Sequence, residues 1–128
     1  MPAPDPVLKR LLTFPARHWG LLSVLVLALL TVLSLMPMSG QLPVGGNDKV
    51  MHAFGWGVAI IPASLALGQR VVSVALLFLL WSIVIEFLQP FSGRHFEVAD
   101  MVANAIGIAL GMSLSMGLRK LLSRKWKS

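Results

Sequence analysis

Four long apolar runs, separated by short polar breaks, limit what this chain can become. Trp19 to Met36 carries no charged residue, and Val50 to Leu67 carries only His52 among its ionisable side chains. Val71 to Leu88 is interrupted by Ser73, Ser82 and Glu86, and Met101 to Leu118 by Asn104 and two serines. Each run approaches the roughly 20 apolar residues that cross a bilayer. The composition agrees, with 56% hydrophobic and 12% charged residues in 128, too little polar surface for a water-soluble catalytic domain. The expected fold is an all-α integral membrane protein, a compact bundle of four transmembrane helices with short loops. The helices are placed at about 19–37, 50–67, 71–89 and 100–118.

Breakers set the boundaries. Pro37, Gly40, Pro43, Gly45 and Gly46 follow the first run, Gly68 to Arg70 form a very short turn, and Pro90 stops the third run. Pro2, Pro4 and Pro6 deny a regular helix to residues 1–8, and Val7 to Phe14 is expected to lie flat at the interface. The first run is longer than a signal peptide's apolar core and lacks a clean small-x-small site, so a retained helix is expected. Gly55, Gly57 and Pro62 predict a kinked or closely packed second helix.

The net charge of +6 is arranged around the apolar runs. With four crossings, Lys9, Arg10, Arg17, Arg70, Arg119, Lys120, Arg124, Lys125 and Lys127 share one face, against Lys49 and Arg94 on the other. The excess of basic residues makes the first face cytoplasmic, with both termini and the basic tails 1–17 and 119–128 on it. That distribution suits anchoring to anionic lipid and forms no recognition surface, so no nucleic acid partner is expected. The bacterial cytoplasmic (inner) membrane is the expected location.

The acids are distributed in the opposite sense. Asp48, Glu86, Glu97 and Asp100 fall at the outer ends of the second, third and fourth helices. Asp48 and His52 at a spacing of four, Glu86 and Gln89 at three, and Asp100 and Asn104 at four each give their helix one polar face. Asp48 and Asp100 also suit helix starts, and His52 alone suits a hydrogen-bonded packing role. Glu86 is costly in an apolar helix and calls for a partner, with Arg94 the natural one and Lys49 or His52 the alternates.

From these residues His52, Glu86 and Asp48 are the catalytic candidates, with His52, oriented by Asp48, or Glu86 as general base. Lys49, Gln89, Arg94, Asp100 and Asn104 are the ligand-binding candidates. The absence of cysteine excludes thiol chemistry, and no HExxH-like spacing is present, so neither metal nor other cofactor is expected. Ser92 lacks a nucleophile elbow, and Ser82 is expected to bond its own helix backbone. Ala103, Gly107, Gly111 and Ser115 form a small-residue seam for close helix packing within the chain or between chains, with Gly55 the facing surface.

Three motifs in order resemble the VanZ-like family of small bacterial membrane proteins: Asp48-Lys49-x-x-His52, Glu86-x-x-Gln89, and Arg94 followed by Asp100-x-x-x-Asn104-x-x-Gly107. The resemblance covers about residues 45–112. The family is named for a protein associated with low-level resistance to the glycopeptide teicoplanin, and the resemblance implies a role in the cell envelope without supplying a reaction. The expected partner is a membrane lipid or lipid-linked envelope precursor whose anionic head group meets the outer cluster. Two alternatives compete with binding: a small membrane hydrolase or transferase acting on a lipid, and a structural or partner-binding subunit with no ligand of its own.

Overall fold

A computed structural model describes residues 5–36 and 48–127, with side chains described through residue 121. The described residues are helical with short connections: α1 (Pro6–Arg17), α2 (Trp19–Leu35), α3 (Asp48–Leu67), α4 (Val71–Leu88) and α5 (Val98–Lys127). The breakers Pro37 to Gly46 lie outside the described residues.

The N-terminal segment differs from expectation. A helix starts at Pro6, because proline is well tolerated in a first helical turn and Asp5 Oδ1 accepts a hydrogen bond from the Val7 amide at 2.8 Å. α1 buries none of its residues, leaving Val7, Leu8, Leu11 and Phe14 exposed. It meets α2 at a 70° bend. An apolar stripe on a basic helix set across the next one suits a helix lying in the membrane interface.

By length and composition, two stretches among the described residues can cross a membrane, Asp48–Ser92 and Val98–Leu121. A third qualifies if the bent pair α1–α2 is one span. The first stretch folds back on itself: Gly68 takes a left-handed φ of 59°, and the rings of Trp56 in α3 and Phe78 in α4 meet edge-on at 6.5 Å across the turn. α3 and α4 are therefore antiparallel. α2 runs parallel to α4, since Trp81 Nε1 donates to Thr31 Oγ1 at 2.9 Å and Gln89 Nε2 donates to the Ser34 carbonyl at 3.3 Å. α5 runs parallel to α3, linked to it from Lys49–Asp100 at one end to Gly68–Arg119 at the other. One end of the bundle thus collects the ends of α2 and α4 and the starts of α3 and α5.

The α3–α5 contact organises the rest. Ala103, Gly107, Gly111 and Ser115 are all buried, and α3 is what they face. A Cβ at Gly107 would collide with the Ala53 backbone, and one at Gly111 with the Gly57 carbonyl. The expectation for Gly55 is corrected: it faces Leu30 of α2, while Ala53, Gly57 and Ile60 line the seam. A helix turns by 100° per residue, so a two-residue shift moves a side chain to the other side. The Ser115 hydroxyl returns to the Gly111 carbonyl at 2.7 Å, so it adds no unsatisfied group to the contact.

Next to that small buried stripe, Val102, Ile106, Leu110 and Leu114 form a large exposed one. Leu21, Val24, Leu25 and Leu29 of α2 and Val72, Leu76, Leu77 and Leu80 of α4 are exposed in the same manner. Small residues inside and branched apolar residues outside is the arrangement lipid favours, since helices in a bilayer associate by close packing rather than by hiding apolar surface. Between α4 and α5 an apolar groove of about 210 Å³ is lined by Ala75, Leu79, Ile108 and Met112, among others.

Candidate functional site

At the end where four helix termini meet, α3 and α5 bring together residues that are about fifty positions apart in sequence. Lys49 Nζ donates to Glu97 Oε2 at 2.6 Å and to Asp100 Oδ1 at 3.0 Å. One turn deeper, His52 Nδ1 lies 3.0 Å from Asn104 Oδ1. An amide oxygen only accepts, so this contact requires the proton on Nδ1. The other ring nitrogen, Nε2, faces Asp48 Oδ2 at 3.7 Å and Asp100 Oδ2 at 4.0 Å, both beyond hydrogen-bond distance. Asp100 and Asn104 are buried, His52 is nearly so, and Asp48 stands open to the exterior.

Glu86 lies within electrostatic reach of this group. Its charged neighbours are Asp100, Arg94, Asp48 and Glu97, and the residue is fully buried. Neither carboxyl oxygen has a hydrogen-bond partner among the described residues. Outside the helices, the hydrogen bond from Lys49 holds the Glu97 carboxyl below its ordinary value of 4.5, with a smaller contribution from His95.

Several expected pairings are corrected by this geometry. Arg94 does not bond Glu86; its Nη1 donates to the Ser34 carbonyl at 3.1 Å and the Leu33 carbonyl at 3.3 Å, at the end of α2. That end offers unsatisfied carbonyls and the negative pole of the helix dipole, a natural seat for a guanidinium. Gln89 reaches the same Ser34 carbonyl, so both residues tie α2 to the α4–α5 connection. Asp48 does not orient His52 by a hydrogen bond; Asn104 does. Asp48, Lys49, His52, Asp100 and Asn104 form one contiguous cluster, with Glu86 within electrostatic reach of it and Gln89 and Arg94 directed to α2. Ser82 bonds the Leu79 carbonyl at 2.7 Å within its own helix.

From the sequence Glu97 suits only a cap at the start of the fourth helix. The fold makes it the closest partner of Lys49. Nothing in local spacing signals that contact, because it depends on the register between two helices.

The family model VanZ/LLP1 matches residues 6–120, which contain every residue of this cluster. The chain belongs to the VanZ/LLP1 family. Comparison with curated proteins and with solved structures gives no match. As a VanZ-like protein it is all-helical, with helices long and apolar enough to lie in a membrane.

Proposed function

We propose that this VanZ-like protein is a multi-pass protein of the bacterial cytoplasmic membrane. It crosses four times, with both termini cytoplasmic, and binds or acts on the anionic head group of a lipid or lipid-linked envelope precursor. The observation that carries the reading is the concentration of buried polar side chains at one end of an otherwise apolar bundle. Glu86, Gln89, Asp100 and Asn104 are all buried there. Buried polar groups are expensive in a membrane protein and mark ligand paths or proton relays by default. Glu86 is the clearest case, since a structural network would have given its carboxyl a donor.

The sidedness supports the same reading. α1 with Lys9, Arg10 and Arg17, the Arg70 turn, and Arg119 with Lys120 lie toward the opposite end from the cluster. The basic end is cytoplasmic under the positive-inside rule, so the cluster faces outward. α2, with 17 residues, spans about 25 Å at the helical rise, close to the hydrocarbon thickness.

In this arrangement Lys49 is the residue that meets the head group. Its side chain is 40% exposed, and its partner Glu97 sits on the loop before α5, free to exchange with an incoming anion. Native mass spectrometry of detergent-purified protein tests the reading: an anionic lipid adduct is expected on the wild type and is expected to fall at least tenfold in Lys49→Ala. Absence of any adduct, or equal retention by the variant, would overturn it.

A further inference from the structure

We propose that Asp48, His52 and Asp100 form a divalent metal site, with zinc the ion that suits the donor set. The sequence spacing pointed away from metal because the donors come from two helices. Across the α3–α5 contact, one donor atom from each of these residues lies within 4.8 Å of the other two. A zinc ion with bonds of about 2.0–2.2 Å in tetrahedral geometry separates its ligands by about 3.4 Å. The observed 3.7 and 4.0 Å from His52 Nε2 to the two carboxylates, and the limit of 4.8 Å that holds for all three pairs, close onto an ion by about 0.3–1.4 Å.

Three further features point to an ion there. The Asn104 contact occupies Nδ1 and leaves Nε2 facing two carboxylate oxygens. A cation seated among these three donor atoms is coordinated by all of them. A ring N–H fixed by a side-chain oxygen is also the usual outer shell of a metal-bound histidine. Lys49 performs the same service for Asp100, bonding Oδ1 and leaving Oδ2 to face the histidine.

Glu86 is the independent sign. It is fully buried, both its oxygens lack a donor, and Asp100 and Asp48 are among its charged neighbours. Around the site the carboxylates Asp48, Glu97 and Asp100 stand against the one ammonium of Lys49. Two helix starts and two helix ends share this end of the bundle, so their dipoles cancel to first order. One divalent ion neutralises the excess charge. Asp48, 59% exposed, forms the open side and leaves a coordination position for water or an anion, as in zinc sites that bind substrates.

This site stands on its own residues and needs no head group. The test uses protein purified without a histidine tag, stripped of metal and kept in lipid-free detergent, with zinc chloride as the probe. Equilibrium dialysis with elemental analysis is expected to show one zinc per chain. Uptake should be lost in His52→Ala and weakened at least tenfold in Asp48→Asn, which removes an exposed ligand and leaves the fold intact. Asn104→Ala touches no metal and should weaken binding about 10- to 100-fold through the ring orientation. His95→Ala, an exposed histidine outside the cluster, should bind as the wild type does. No stoichiometric uptake, or uptake that survives in Asp48→Asn and His52→Ala or disappears in His95→Ala, would overturn the site. Zinc binding with no lipid adduct would leave the metal site standing and sink the head-group reading alone.

Discussion

The α3–α5 pair is built in two different ways along its length. In the middle, Gly107 and Gly111 rest on the backbone of Ala53 and Gly57, and contact is made by removing side chains. At the polar end, Lys49, His52, Asp100 and Asn104 span a wider gap with side chains, and several of their atoms remain without short bonds. Close packing in a bilayer supplies association energy through many weak contacts and tolerates no added atom. The polar end is held apart by the same register that brings the glycines together. The seam stabilises the pair, and the polar end uses that stability to keep ionisable groups in an arrangement they would not adopt alone.

One substitution made along the whole bundle breaks this comparison most severely. Gly107→Ala and Gly111→Ala place a Cβ into facing backbone, which cannot yield as a side-chain tip can, and each is expected to cost about 1–3 kcal/mol or more. Gly55→Ala meets only the Leu30 side chain at 2.9 Å and should cost less. Gly117→Ala meets nothing within 4 Å and should stabilise by about 0.5–1 kcal/mol through helix propensity. Melting of the four variants in detergent checks the order. Equal melting of Gly107→Ala and Gly117→Ala would remove the seam from the account.

Glu86→Met sharpens the contrast from the polar side. Replacing an unpartnered buried carboxyl by an apolar chain of similar length is expected to raise thermal stability in metal-free detergent, on the order of 1–4 kcal/mol. The same variant should lose the anionic lipid adduct in native mass spectrometry. A fall in stability would mean that Glu86 has a structural partner.

A smaller effect is expected at the end of α2. Arg94→Ala removes hydrogen bonds to two carbonyls, and hydrogen exchange should increase around Leu33 and Ser34 while α3 and α5 are unchanged. Increased exchange at the start of α5 instead would place Arg94 in the cluster.

The smallest effect concerns the exposed pair. The Glu97 carboxyl is held below its ordinary value by Lys49, so the pair's contribution is present above that value and lost as pH falls through the lowered one. Glu97→Gln should flatten the dependence of melting temperature on pH below about 4.5, by an amount that shrinks further in salt. An unchanged profile would show that the pair is not formed in solution.

The parts of this arrangement that follow from one helix at a time were legible in the sequence. The apolar runs, the turn at Gly68, the shared depth of the polar residues and the stripe from Ala103 to Ser115 all depend on local period and breakers. What depends on the register between helices was not. The seam lies opposite Gly57 rather than Gly55, Lys49 selects Glu97 and Asp100, and Arg94 selects the end of α2 over Glu86. An ion pair written from charge alone overlooked that a helix end also offers acceptors. Proline spacing misled at Pro6, because proline breaks a helix it interrupts and suits one it begins.

The central claim is that the polar cluster is kept for a ligand while the seam keeps the fold. The most direct test is His52→Gln, which retains an N–H for Asn104 and removes the imidazole. Melting temperature and anionic lipid adduct are measured on the same preparation. The account predicts melting within about 4 °C of the wild type, the shift that roughly 1 kcal/mol produces in a chain of this size, together with loss of the adduct. Early melting, with the adduct falling only in step with the folded fraction, would make the cluster a structural network and contradict the claim.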